Sequence, residues 1–234
     1  MRDEIAGFIL EAGENSSDYE PIVIHADLVI DYVNGSSCKK MNDMSTSVIK
    51  LLLKAINARD KNTGKHSEHV AYLMVTLANR IGLSKEEISL AYVSGLVHDI
   101  GKIGIPESIL NKPTQLTETE FALIKQHPNI GADILSEISG FEKIVEIVRY
   151  HHERYDGKGY PYGIQAQEIP ILSRMLVLCD SYDAMTTPRC YREPFKPDRA
   201  LAEIEQLSGR QFDPELSRIF IDLVLGANGA QECG

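Results

Sequence analysis

Seven side chains of the kinds that bind metal ions share one unusual setting. His66 lies on the apolar stripe of a helical stretch, His98 and Asp99 close the apolar run "VSGLVHD", and His127 closes "FALIKQH". His151 and His152 close "FEKIVEIVRYHH", and Asp180 follows "RMLVLC". A carboxylate or imidazole beside apolar surroundings is costly unless it is paired or bound to a cation. A single His-Asp pair is explained by capping of a helix end. Five histidines and two aspartates in the same setting are better explained by convergence on metal ions. The nitrogen and oxygen donors, without thiolate, suit Fe, Mn, Ni or Zn in a catalytic site rather than a closed structural zinc site. There are more donors than one cation takes, so two ions are expected, with one carboxylate bridging them and a position open for water.

These side chains need helices to position them, and the pattern supplies helices. In "HSEHVAYLMVTLANRIGL" His66, Val70, Leu73 and Leu77 fall on one face. "SKEE" from Ser84 and "TETE" from Thr117 fit the capping box that opens a helix. Further helices are predicted over about 128–138, 141–152, 170–185, 197–208 and 214–226, the last with Asp213 as N-cap and Pro214 at the first helical position. In the 170–185 helix, Ile171, Met175, Leu178 and Tyr182 form the expected buried stripe. The predicted fold class is all-α, with a domain over 45–234 and a small N-terminal segment over 1–44. Within that segment, 21–34 is rich in β-branched residues and reads as a small hairpin, the tail of a sensory domain, or a short helix.

Composition narrows the function. The chain has 234 residues, 43% hydrophobic and 25% charged, and contains no apolar run long enough for a membrane span. Its N-terminus has acids on both sides of a short apolar patch, unlike a secretory signal, so a cytoplasmic protein is expected. Cys38, Cys179, Cys190 and Cys233 are scattered, as expected for reduced thiols. A net charge of −10 argues against general nucleic-acid binding, so a phosphate ligand must meet a local basic pocket.

"HDIGK" with the following "IP" and "IL", "KQHPNIG", "HHERYDGKGYP", "IPILSRMLVLCDSYDAMTTPRCYR" and "GRQFDP" occur in that order over about residues 50–226. In this the chain resembles the HD-GYP branch of the HD phosphohydrolase superfamily. The resemblance implies an HD-type helical bundle and a phosphodiesterase that linearises cyclic di-GMP to pGpG and often continues to GMP. It implies His66, His98, Asp99, His127, His151, His152 and Asp180 as ligands of two divalent metals, Fe or Mn foremost, with Asp99 as the bridge. It also implies that Lys102, Arg189 and Arg192 meet the substrate phosphates, and that Gly157, Gly159 and Pro161 fix a turn placing Tyr160 over a guanine or ribose. Asp99 and Lys102 are the expected catalytic residues. Expected partners are a second copy of the chain or a diguanylate cyclase.

Two positions depart from the family pattern. Asn62 stands where some members carry a glutamate that holds a third metal and typical two-metal members carry tyrosine; a neutral amide is a poor third-metal ligand. Cys190 replaces the usual proline between Arg189 and Tyr191, so that loop loses a φ restraint. His69 is expected outside the ligand set, His25 structural or exposed, Glu153 orienting a ligand histidine, and Asp156 and Asp183 in supporting or turn-forming roles. The rival readings are a phosphodiesterase for another cyclic dinucleotide such as 3′,3′-cyclic GMP-AMP, a monoester phosphohydrolase, and a catalytically silent cyclic di-GMP receptor or scaffold.

Overall fold

A computed structural model of the chain describes Leu51, residues 63–188 and residues 193–229. The predicted 1–44 segment with its β-rich stretch, Asn62, and the loop of Arg189, Cys190 and Arg192 lie outside the described residues. The described part is helical. Its helices are α1 (Thr63–Arg80), α2 (Lys85–Val97), α3 (Glu107–Leu110), α4 (Glu118–Ile124), α5 (His127–Ser136), α6 (Glu142–Arg149), α7 (Ile171–Thr186), α8 (Pro197–Leu207) and α9 (Pro214–Gly229). Two 3₁₀ turns cover Ile100–Gly104 and Ala166–Glu168. Among the described residues there is no β-strand, and no helix is long and apolar enough to cross a membrane.

The core forms around α2. Ser84 opens this helix by the predicted capping box: its Oγ accepts the Glu87 N–H at 3.3 Å, while Glu87 Oε2 accepts the Ser84 N–H at 2.9 Å. From Ser89 to Val97 every residue of α2 is buried, so this helix is enclosed on all sides. It packs most extensively against α1 and more lightly against α6 and α7, while α7 also packs on α1. The α1 and α2 backbones touch at Gly95, where a Cβ would stand 2.5 Å from the Ala71 Cα. The predicted α1 stripe of His66, Val70, Leu73 and Leu77 is buried.

Chain reversal between α1 and α2 follows from Gly82, whose φ of 77° lies in the left-handed region. The Leu83 N–H bonds to Ala78 O at 3.0 Å and the Gly82 N–H to Asn79 O at 3.2 Å, the Schellman pattern that satisfies the last carbonyls of α1. Asp213 caps α9 as predicted, with Oδ1 accepting the N–H groups of Glu215 and Leu216. Its other oxygen accepts from Arg174 at 2.5 Å, which ties α9 to α7.

Three expectations are corrected. His127 does not end the "FALIKQ" helix; α4 stops at Ile124 and His127 is the first residue of α5, with Pro128 beside it. Proline lacks an N–H, which is no loss in the first turn of a helix. The 141–152 helix stops at Arg149, because His151 takes up a carbonyl of the last turn with its side chain. On α7, Met175, Leu178 and Tyr182 are buried as predicted, whereas Ile171 at the helix start is 38% exposed. Cys179 is buried in α7 and burial pushes its thiol up, which keeps it protonated.

Candidate metal centre

The fold brings all seven predicted ligands together. His66 from α1, His98 from the end of α2 and Asp180 from α7 form one group whose donor atoms lie within 4.8 Å of one another. His127 from the start of α5, with His151 and His152 from the turn after α6, forms a second group on the same criterion. Asp99 lies between the two. One carboxylate oxygen is 3.5 Å from His98 Nε2 and the other is 3.5 Å from His127 Nε2. This carboxylate makes no cap bond at the start of its 3₁₀ turn, so helix capping does not explain its burial.

Helix ends explain how the imidazoles are aimed. The last carbonyls of a helix have no partner within it. His98 Nδ1 donates to Gly95 O at 2.8 Å, His127 Nδ1 to Ile124 O at 2.8 Å, and His151 Nδ1 to Val148 O at 2.5 Å. Each bond reaches back three residues into the final turn of α2, α4 or α6. With the proton placed at Nδ1 by these carbonyls, Nε2 is turned toward the centre.

His127 Nε2 thus lies 3.2 Å from both His151 Nε2 and His152 Nε2. Burial first, then neighbouring imidazoles and charges, holds His127 below its usual range, His151 well below it, and His152 down at about 3. Converging neutral nitrogens repel one another unless a cation is shared among them. Among the described residues His98 Nε2 also has no hydrogen-bond partner although it is buried, an uncommon condition for a polar atom. The donor set therefore fits divalent ions of the Fe, Mn, Ni or Zn kind.

His66 is aimed differently, because it sits in the early turns of α1 and not at a helix end. Its Nδ1 meets Asp183 Oδ2 at 2.5 Å, and its Nε2 is 3.1 Å from Asp180 Oδ1. Burial disfavours charge on His66, but the two carboxylates outweigh it and raise its pKa to about 10. A cation shared by His66 and Asp180 would displace that proton. Asp183 is held in turn by His69 Nδ1 and by Thr187 Oγ1 at 3.0 Å. His69, expected outside the ligand set, lies one carboxylate away from the His66 donor group. Asp183→Asn is expected to weaken metal retention about 10- to 100-fold in a chelator competition. Wild-type retention would show that His66 needs no such support.

Asp99 is held well below the usual carboxylate range: burial opposes its charge, but Lys102 and the surrounding histidines outweigh that. Asp180 is likewise held well below, against burial, chiefly by His66. Lys102 Nζ lies 2.6 Å from Asp99 Oδ2. The expected phosphate contact is thus a lysine engaged with the central carboxylate, at the edge of the same site.

The loop after His152 doubles back on itself. A Cβ at Gly159 would stand 2.3 Å from the Arg154 N, so only glycine fits there. Glu153 is buried, and its carboxylate accepts from the Tyr162 N–H at 2.7 Å and the Gly163 N–H at 3.1 Å. This corrects the expectation that Glu153 orients a ligand histidine; it clamps the loop. Tyr160, held by its N–H to His152 O at 3.2 Å, stacks on the His152 ring at 4.9 Å between centroids. Asp156 is turn-forming, as expected: it takes a bidentate contact from Arg154 and the Lys158 N–H. The "GRQFDP" segment braces the loop, through Arg154 to Gln211 Oε1 at 3.1 Å and Asp156 N to Arg210 O at 2.8 Å. No sequence pattern pointed to that brace.

A family model described as HD domain matches residues 50–216. The chain belongs to the HD domain family, and its HDIGK and GYP motifs are those of the HD-GYP branch. It is 40% identical over 183 residues to a cyclic di-GMP phosphodiesterase of Thermotoga maritima, covering 77% of this chain and 50% of that protein. It is 33% identical over 184 residues to 3′3′-cGAMP-specific phosphodiesterase 2 of Vibrio cholerae, covering 78% of this chain and 35% of the relative. The fold is similar to that of an HDG"Y"P protein of Bdellovibrio bacteriovorus, with a TM-score of 0.60 at 19% identity, over 95% of this chain and 70% of the other. The chain spans about half the length of the first curated relatives it matches.

Proposed function

We propose that the chain is a metal-dependent phosphodiesterase that opens cyclic di-GMP to pGpG, with GMP as the product of a second hydrolysis, in cytoplasmic second-messenger signalling. The observation that carries this reading is the Asp99 carboxylate, which turns one oxygen toward each of two histidine-rich donor groups. His66, His98 and Asp180 would hold one divalent ion and His127, His151 and His152 the other, with Asp99 between them. Bound there, such ions supply Lewis-acid polarisation of the phosphodiester and acidify a water.

The chain's own groups do the rest. Carbonyls of the helix ends and Asp183 fix the imidazoles before substrate arrives, so no reorganisation is needed at the moment of reaction. Lys102, beside Asp99, is placed to exchange that contact for a phosphate or the leaving oxygen as negative charge develops. Tyr160 covers His152 on its outer side. Arg189 and Arg192, outside the described residues, are the further phosphate contacts that the family resemblance implies. A second reading, a preference for 3′,3′-cyclic GMP-AMP, is favoured by similarity to the Vibrio enzyme named for it.

The test is anaerobic incubation of the chain, reconstituted separately with Fe(II) and Mn(II), with each of the two cyclic dinucleotides in competition. Release of pGpG or GMP, lost on chelation, is the expected result. Metal-bound protein that leaves cyclic di-GMP intact would contradict the reading.

A further inference from the structure

A column of side chains runs outward from the second donor group. The His127 and His152 rings lie 4.9 Å apart, and Tyr160 stacks on His152 at 4.9 Å with 26° between the planes. Lys125 Nζ then sits 5.4 Å from the Tyr160 centroid and 4.7 Å from the Phe121 centroid. Phe121 is 44% exposed and α4 has no buried residue, so this ring is not part of the core. Among the described residues no carboxylate lies within ion-pair reach of Lys125, although the chain carries a net charge of −10. The neighbouring acid Glu120 is already taken by Lys112, at 2.6 Å.

An ammonium over two aromatic rings gains little at an exposed site and keeps N–H donors for an anion. Such a group is suited to an anion that comes with flat, stackable rings. A cyclic dinucleotide has that chemistry. One of its phosphates must reach the reacting centre, while the other phosphate and the bases need a cation and an aromatic face elsewhere. The geometry points to Lys125 as the site for the second, non-reacting phosphate of a cyclic dinucleotide, with Phe121 offering its face to a base. This assignment rests on the proposed substrate class and deepens it. It makes Lys125 and Phe121 binding residues that distinguish a dinucleotide from a single phosphodiester.

The test is calorimetric titration of the metal-loaded chain with a hydrolysis-resistant bis-phosphorothioate analogue of cyclic di-GMP. Lys125→Gln is expected to weaken binding about tenfold, Phe121→Ala to weaken it by a similar factor, and Lys125→Arg to retain most of the affinity. GMP, with one phosphate at the centre, should lose less affinity than the dinucleotide in Lys125→Gln. Equal affinity of wild type and Lys125→Gln for the analogue, or equal losses for the analogue and GMP, would overturn the assignment. Turnover of cyclic di-GMP by wild type is measured separately. Lysine-dependent binding without turnover would sink the catalytic reading and leave this one standing, whereas turnover with no effect of Lys125→Gln on binding would do the reverse.

Discussion

Asp99→Asn is expected to lower phosphodiesterase kcat by about three orders of magnitude or more and to reduce metal content. The substitution keeps the volume of the side chain, so loss of packing is not the cause. An amide has one carbonyl oxygen and one NH₂ group, and it is uncharged. It cannot present an anionic oxygen to His98 on one side and to His127 on the other, each now 3.5 Å from a carboxylate oxygen. Lys102 also loses the negative partner at 2.6 Å that holds it at the edge of the site. Steady-state kinetics and elemental analysis of the same preparation check the prediction. Wild-type values for both would remove Asp99 from its proposed position between two ions.

Gly101→Ala is expected to destabilise the fold by about 3 kcal/mol or more and to displace His127. A Cβ at Gly101 would stand 1.9 Å from the His127 carbonyl oxygen and 2.5 Å from the Gly131 N. Both neighbours are backbone atoms of α5, and no flexible side chain can swing aside. The need for glycine here comes from close approach of two backbones, not from a left-handed φ. The 3₁₀ turn that carries Asp99 into position is thus seated directly on the helix that carries His127, so stability and metal binding should fall together. Urea unfolding and metal retention measure the two effects. Wild-type stability in Gly101→Ala would show that the turn and α5 separate easily.

The convergence of the seven donors was legible because each interrupts an apolar helical pattern, and the fixed order of motifs favoured ligation over seven unrelated polar residues. The capping boxes at Ser84 and Thr117 were legible for the same reason: they are local, and their hydrogen bonds close within four residues. What escaped the sequence depends on distant contacts or on helix ends. Periodicity put His127 at the end of one helix when it begins the next, since "FALIKQHPNIGADIL" is nearly continuous in pattern and only Pro128 marks the break. Glu153 sits next to two proposed ligand histidines in sequence, which made it look like their support. Its partners are loop N–H groups nine and ten residues on, which no spacing rule predicts. The role of Asp183 was recognisable only as a supporting one, because its two imidazole partners on α1 lie more than a hundred residues away.

Metal stoichiometry of the chain is the most direct measurement of the central claim. Protein prepared and reconstituted anaerobically with Fe(II) or Mn(II), freed of excess ion and analysed by mass spectrometry of its metal content, should hold about two ions per chain. Asp99→Asn should hold fewer, and removal of the ions should abolish hydrolysis of cyclic di-GMP. A wild-type chain that holds one ion or none while hydrolysing cyclic di-GMP at full rate would contradict the account of two donor groups joined by Asp99.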